Sequence, residues 1–137
     1  MNLLNKIGGP IVRLMLRSPL HSLISKNVML LTVTGRKSGK RYVIPVGYVR
    51  EGDRVTTSTL RGNRWWKNLH GGAPVSLRIE GQEFRGTAEI VVDDQAAIAA
   101  ILREHYKLAS LHALSDEEAA ERAADRVIIQ IQLDQRG

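Results

Sequence analysis

A chain of 137 residues, 43% of them hydrophobic, has room for one core and not comfortably for two, so a single domain over residues 1–137 is expected. It contains no cysteine, which excludes disulfides, thiolate metal sites and a cysteine nucleophile, and fits a cytoplasmic protein. The formal charge of +6 is uneven, since no acidic residue precedes Glu51 whereas nine cations, from Lys6 to Arg50, do. A basic half attracts nucleic acid, a lipid surface or a phosphorylated small molecule. Aromatic residues make up only 4%, too few for a base-stacking platform, and no nucleic acid partner is expected.

Residues 1–26 are apolar with interspersed Lys6, Arg13, Arg17 and His21, and are broken by Gly8-Gly9-Pro10 and by Pro19. No uninterrupted span of about 20 apolar residues is present, nor the cleavage pattern of a secretory signal. An amphipathic helical segment capping the core is expected, with peripheral membrane contact through that helix as the minority reading.

Val28 to Val33 then reads as a buried strand and Tyr42 to Arg50 as a second, ending in the turn Glu51-Gly52-Asp53. Arg54 to Leu60 makes a third, and its run Thr56-Thr57-Ser58-Thr59 suggests a face turned to a polar ligand or to solvent. Gly62 to Leu69 fits one or two helical turns ended by glycine. Val75 to Glu80 and Glu83 to Val92 form another hairpin. Asp93 and Asp94 cap a helix running to about Leu108, Ser115-Asp116-Glu117-Glu118 opens a short acidic helix, and Val127 to Leu133 closes the chain as a strand. Six strands, mostly in hairpins, with peripheral helices predict an α+β fold built on a small antiparallel β-barrel.

The loop Gly35-Arg36-Lys37-Ser38-Gly39-Lys40-Arg41 carries four cations between and beside two glycines. Glycines let backbone N–H groups turn toward an anion and arginine supplies a fork matched to phosphate. The spacing is not that of a Walker loop, because Arg41 stands where a hydroxyl is needed. On residue types alone a solvated basic turn and an anion site stand level. The adjacent Trp65 and Trp66 suit core plugging for at least one of them and a wall for a planar ring for the other. No metal site is expected, since the four histidines lack ligand spacing. Nor does any serine sit in a nucleophile elbow. No catalytic side chain is assigned, and a bound cofactor carrying the chemistry would account for that.

The run Leu30-Leu31-Thr32-Val33-Thr34-Gly35-Arg36-Lys37-Ser38-Gly39, followed by Pro45-Val46, Trp65-Trp66-Lys67-Asn68-Leu69 and Pro74-Val75, resembles the deazaflavin-dependent nitroreductase family over about residues 28–92. The resemblance implies a split β-barrel and coenzyme F420, whose tail carries phosphate and carboxylates. It implies that Arg36, Lys37 and Ser38 hold that tail and that Val43 and Ile44 line the cofactor. Ser58, Thr59, Leu60 and Arg61 would meet its ring and tail, with Trp65, Trp66 and Asn68 closing the site. It further implies an F420H2-dependent reductase passing hydride to a small hydrophobic acceptor: a quinone, an enone or a nitro compound. Related split barrels bind FMN, which is the alternative cofactor, and a homodimer is compatible with the fold. A non-enzymatic basic module docking lipid or RNA is the remaining alternative.

Overall fold

The computed structural model describes residues 28–108 and 113–134, so the expected helical segment 1–26 lies outside the described residues. Seven strands form one antiparallel sheet: β1 (Val28–Thr34), β2 (Arg41–Gly47), β3 (Val49–Glu51), β4 (Arg54–Leu60), β5 (Ala73–Ile79), β6 (Gln82–Val91) and β7 (Arg126–Leu133). Their spatial order is β2-β1-β5-β6-β7-β4-β3. A 3-10 turn spans Trp65–Leu69, and the helices are α1 (Gln95–Leu108) and α2 (Asp116–Ala123).

Seven strands replace the six expected because the segment Tyr42 to Arg50 is not continuous. It breaks at Tyr48: β2 pairs with β1 at one edge of the sheet, while β3 pairs with β4 at the other. Two consecutive strands can occupy opposite edges only if the sheet curls until those edges meet, as in a barrel. The two hairpin turns occur where acidic-Gly pairs predict them, with positive φ at Gly52 (59°), Glu80 (48°) and Gly81 (80°).

Period-two alternation sorts each strand between two environments. Met29, Leu31 and Val33 of β1, Val75, Leu77 and Ile79 of β5, and Val127, Ile129 and Ile131 of β7 fill the inside of the curl. On its outer face Ile128 meets Ile98 and Leu102 of α1 and Ala119 and Ala123 of α2. Lying between two cores, β7 begins with an unbroken buried run, Val127-Ile128-Ile129. The helix starts are those the sequence predicts. Asp94 Oδ1 accepts the Ala97 N–H at 3.0 Å, and Ser115 and Glu118 exchange both bonds of a capping box. Among the described residues no helix is long and apolar enough to cross a membrane.

The antiparallel pairings make β1, β4 and β6 run one way and β2, β5 and β7 the other. The β1–β2 loop, the connection from Leu60 to Gly72 and the end of β6 therefore share one end of the barrel. The basic loop and the tryptophan turn, about thirty residues apart in sequence, thus become neighbours.

Candidate functional site

The β1–β2 loop is shaped by its own backbone. Gly35 N–H donates to the Lys40 carbonyl at 2.8 Å and Gly39 N–H to the Gly35 carbonyl at 2.9 Å. Gly39 has φ of +69°, and a Cβ on Gly35 would lie 2.8 Å from Ser38 Oγ and 3.1 Å from the Tyr42 ring. One glycine is thus required by conformation and the other by space. Ser38 Oγ accepts the Lys40 N–H at 3.2 Å.

The loop is fastened to the 3-10 turn. Arg36 N–H donates to Asn68 Oδ1 at 3.1 Å, the Arg36 guanidinium donates to the His70 carbonyl, and Asn68 Nδ2 donates to the Trp65 carbonyl at 3.1 Å. Lys37, Lys40 and Arg41 remain exposed. Among the described residues the ion pairs are Arg78–Glu83 and Arg103–Asp116, so these three cations face no carboxylate partner.

The other predicted site residues divide by strand alternation. Val43 lies opposite Thr32 on the outer face, whereas Ile44, opposite Leu31, is in the core. Ser58 lies opposite Ile128 on the outer face. Thr59 is buried on the other face, where its hydroxyl accepts from Asn63 Nδ2 at 2.9 Å. Ser58 and Thr59 therefore point away from each other. Leu60 is 45% exposed at the strand end. Arg61 reaches across to the carbonyls of Val92 and Arg126, the second at 3.4 Å. Both tryptophans are buried, Trp65 at 7% and Trp66 at 5% exposure, and Trp66 Nε1 donates to the Arg61 carbonyl at 3.2 Å. Their bulk fills the end of the barrel, and burying a side chain of that size contributes about 2–3 kcal/mol. Core plugging, expected for at least one of the pair, thus holds for both.

Lys40 and Arg41, loop cations to which the resemblance assigns no role, join Lys37 as exposed and without an ion pair among the described residues. One feature lies outside the residues singled out from sequence. A groove of about 380 Å³ crosses the outer face of β1, β5 and β6, lined by Thr32, Thr34, Arg41, Ser76, Arg85 and Thr87. The signal for the groove is hydroxyls at alternate positions of β1, Thr32 and Thr34, with one more on each of β5 and β6. It becomes readable only with the register, which sets Thr32 opposite Ser76, Ser76 opposite Arg85, and Pro74 opposite Thr87. Among the described residues no cluster of three or more histidine or carboxylate side chains is placed to hold a metal ion.

A profile of the F420H(2)-dependent quinone reductase family matches residues 15–120. The chain belongs to that family. It is accordingly an oxidoreductase that works with coenzyme F420. Solved structures share the fold at low identity. A conserved hypothetical protein of Mycobacterium tuberculosis is 17% identical with a TM-score of 0.63, over 93% of this chain and 80% of that one. A protein described as an F420 reductase is 17% identical with a TM-score of 0.53, over 86% and 95%. An FAD- and haem-binding protein of Mycobacterium smegmatis is 18% identical with a TM-score of 0.55, over 86% and 66%. These likenesses identify an α+β split barrel, the fold that the resemblance implied.

The donor set of this family member fits an anionic cofactor tail. Lys37, Lys40 and Arg41 offer three cations that have no carboxylate partner among the described residues, on a loop whose shape is fixed by internal hydrogen bonds. Burial pushes the Tyr48 hydroxyl above its ordinary 10.0, with Glu80 adding to the rise and Arg50 opposing it. The strand order sets that residue at the β2–β3 junction, near the other end of the barrel and away from the basic loop.

Proposed function

We propose that the chain reduces a quinone-type acceptor with F420H2, enones and nitro compounds being acceptors of the same electronic kind, and that the basic loop holds the cofactor's phosphate- and carboxylate-bearing tail. The observation that carries this reading is the trio Lys37, Lys40 and Arg41, exposed and without carboxylate partners among the described residues, at the barrel end where the loop meets the tryptophan turn. When bound, the reduced deazaflavin supplies the hydride. The protein's own part is binding, orientation and exclusion of water. The loop cations neutralise the tail, and the buried Trp65 and Trp66 seal the barrel end beneath it. The hydroxyl-lined groove beginning at Arg41 offers the surface along which a ligand held by the loop extends.

Fluorescence titration with F420, set beside a titration with FMN, tests the cofactor assignment. Lys37→Ala should weaken F420 binding by at least about tenfold at low salt, the value of one charge-assisted hydrogen bond. Tight FMN binding together with no F420 binding would overturn the assignment in favour of a flavin oxidoreductase. Stopped-flow oxidation of F420H2 by a panel of quinones, enones and nitro compounds tests the acceptor. Quinones that leave F420H2 unoxidised in the presence of the protein refute that part.

A further inference from the structure

The resemblance casts Arg36 and Asn68 as ligand contacts, yet the Asn68 amide and, on Arg36, the backbone N–H and one guanidinium nitrogen are engaged within the protein. The Arg36 N–H donates to Asn68 Oδ1 and its guanidinium to the His70 carbonyl, while the second functional atom of Asn68 donates to the Trp65 carbonyl. The guanidinium also lies close over the backbone at Gly71, where a Cβ would come 3.8 Å from its NH2 group, and Gly71 itself has φ of +77°. The two hydrogen bonds of Arg36 join segments 32 and 34 residues apart, while that of Asn68 to Trp65 lies within the turn. The neighbouring cations Lys37, Lys40 and Arg41 make no ion pair among the described residues.

We propose that Arg36 and Asn68 are positioning residues, forming a latch that fixes the loop on the 3-10 turn in the shape that presents Lys37, Lys40 and Arg41 to an anion. This rests on the reading of the loop as the tail clamp. The physical gain is preorganisation. A loop already held in its binding shape loses less conformational freedom when a ligand arrives, so deleting the latch weakens binding without removing a contact. Charge and position are separable by salt. A phosphate contact made by a cation is screened as the Debye length falls to about 3 Å at 1 M salt, whereas an ordering cost is not.

The test uses the full chain and two readouts. Amide hydrogen exchange on the protein without ligand should quicken at residues 35–40 and 70–72 in Arg36→Ala and in Asn68→Ala, and stay unchanged in Lys37→Ala. F420 titration should show the latch variants about tenfold weaker at both low and high salt, which is what one or two lost hydrogen bonds are worth. Lys37→Ala should be weaker at low salt and converge with the parent at high salt. Should Arg36→Ala converge at high salt as Lys37→Ala does, Arg36 is a charge contact and the latch is refuted. Unchanged exchange in both latch variants refutes it equally. If Lys37→Ala binds F420 as tightly as the parent at low salt, the tail clamp itself fails and the latch falls with it. Arg36 is exposed, so its variant keeps the test decisive even if Asn68→Ala does not fold.

Discussion

The Thr57 hydroxyl, inside the barrel on β4, donates to the backbone carbonyl of Gly47 at the end of β2. The two strands are not neighbours in the sheet, where β1, β5, β6 and β7 lie between them. The bond therefore spans the seam at which the curled sheet comes back on itself. Thr57 is fully buried, and a buried hydroxyl without a partner is costly, so the polar run of β4 has a structural reason at this position.

Replacing Thr57 with valine keeps the shape and removes the donor. Thr57→Val should lose about 1 kcal/mol in urea unfolding, the net worth of one hydrogen bond. Thr57→Ser should keep most of that stability. A valine variant as stable as the parent would show that the seam does not depend on this bond.

Gly86 sits where β6 begins to pair with β7, opposite Leu133. A Cβ there would lie 2.5 Å from the Gln132 carbonyl oxygen and 2.9 Å from the Ile131 side chain, so backbone must shift to admit it. Gly86→Ala should destabilise by about 1–3 kcal/mol, the range for forcing atoms into a packed region. Thermal unfolding measures it, and an unchanged melting temperature contradicts the close approach.

Arg61 is expected from the resemblance to touch the cofactor, but its guanidinium bonds the carbonyls of Val92 and Arg126 and its N–H bonds the Asp125 carbonyl at 2.9 Å. It ties the ends of β4, β6 and β7 together. Arg61→Ala should cost about 1.5–3 kcal/mol in denaturant unfolding, the worth of hydrogen bonds made by a charged group. Arg61→Lys should recover only part, because one guanidinium nitrogen reaches both carbonyls and the shorter, strongly hydrated lysine ammonium must be desolvated to take its place. Normal stability combined with lost F420 affinity would return Arg61 to the role of a ligand contact.

Burial pushes the His105 imidazole below its ordinary 6.5. The unfolded chain then takes up a proton near that ordinary value while the folded protein does so only at lower pH. Between the two the unfolded state binds more protons, so stability rises with pH. The contribution is present in full above about pH 6.5 and is lost as pH falls toward the folded value. His105→Gln should flatten the dependence of melting temperature on pH between about 5 and 7. Parallel curves for variant and parent would exclude the histidine as its source.

Much of the architecture is legible along the chain because it is local. The acidic-Gly turns, the Asp94 and Ser115 caps and the alternation of β7 depend on residues a few positions apart, and each is found where its chemistry predicts. The break at Tyr48 is not legible, since a β-compatible run says nothing about which neighbour it pairs with. The same limit applies to Ser58 and Thr59. Adjacent residues look like one polar patch in sequence, while the pleat sends them to opposite faces.

The sequence by itself determined the hairpins, the basic loop and, through the order of its motifs, the family. Tertiary structure alone decided which cations are available. Composition treats Arg36, Lys37, Lys40 and Arg41 alike, and only the meeting of the loop with the tryptophan turn engages Arg36 internally and leaves the other three to solvent. The reason is that a side chain's partners are set by distances across the fold, and strand direction and register establish those distances after the local elements have formed.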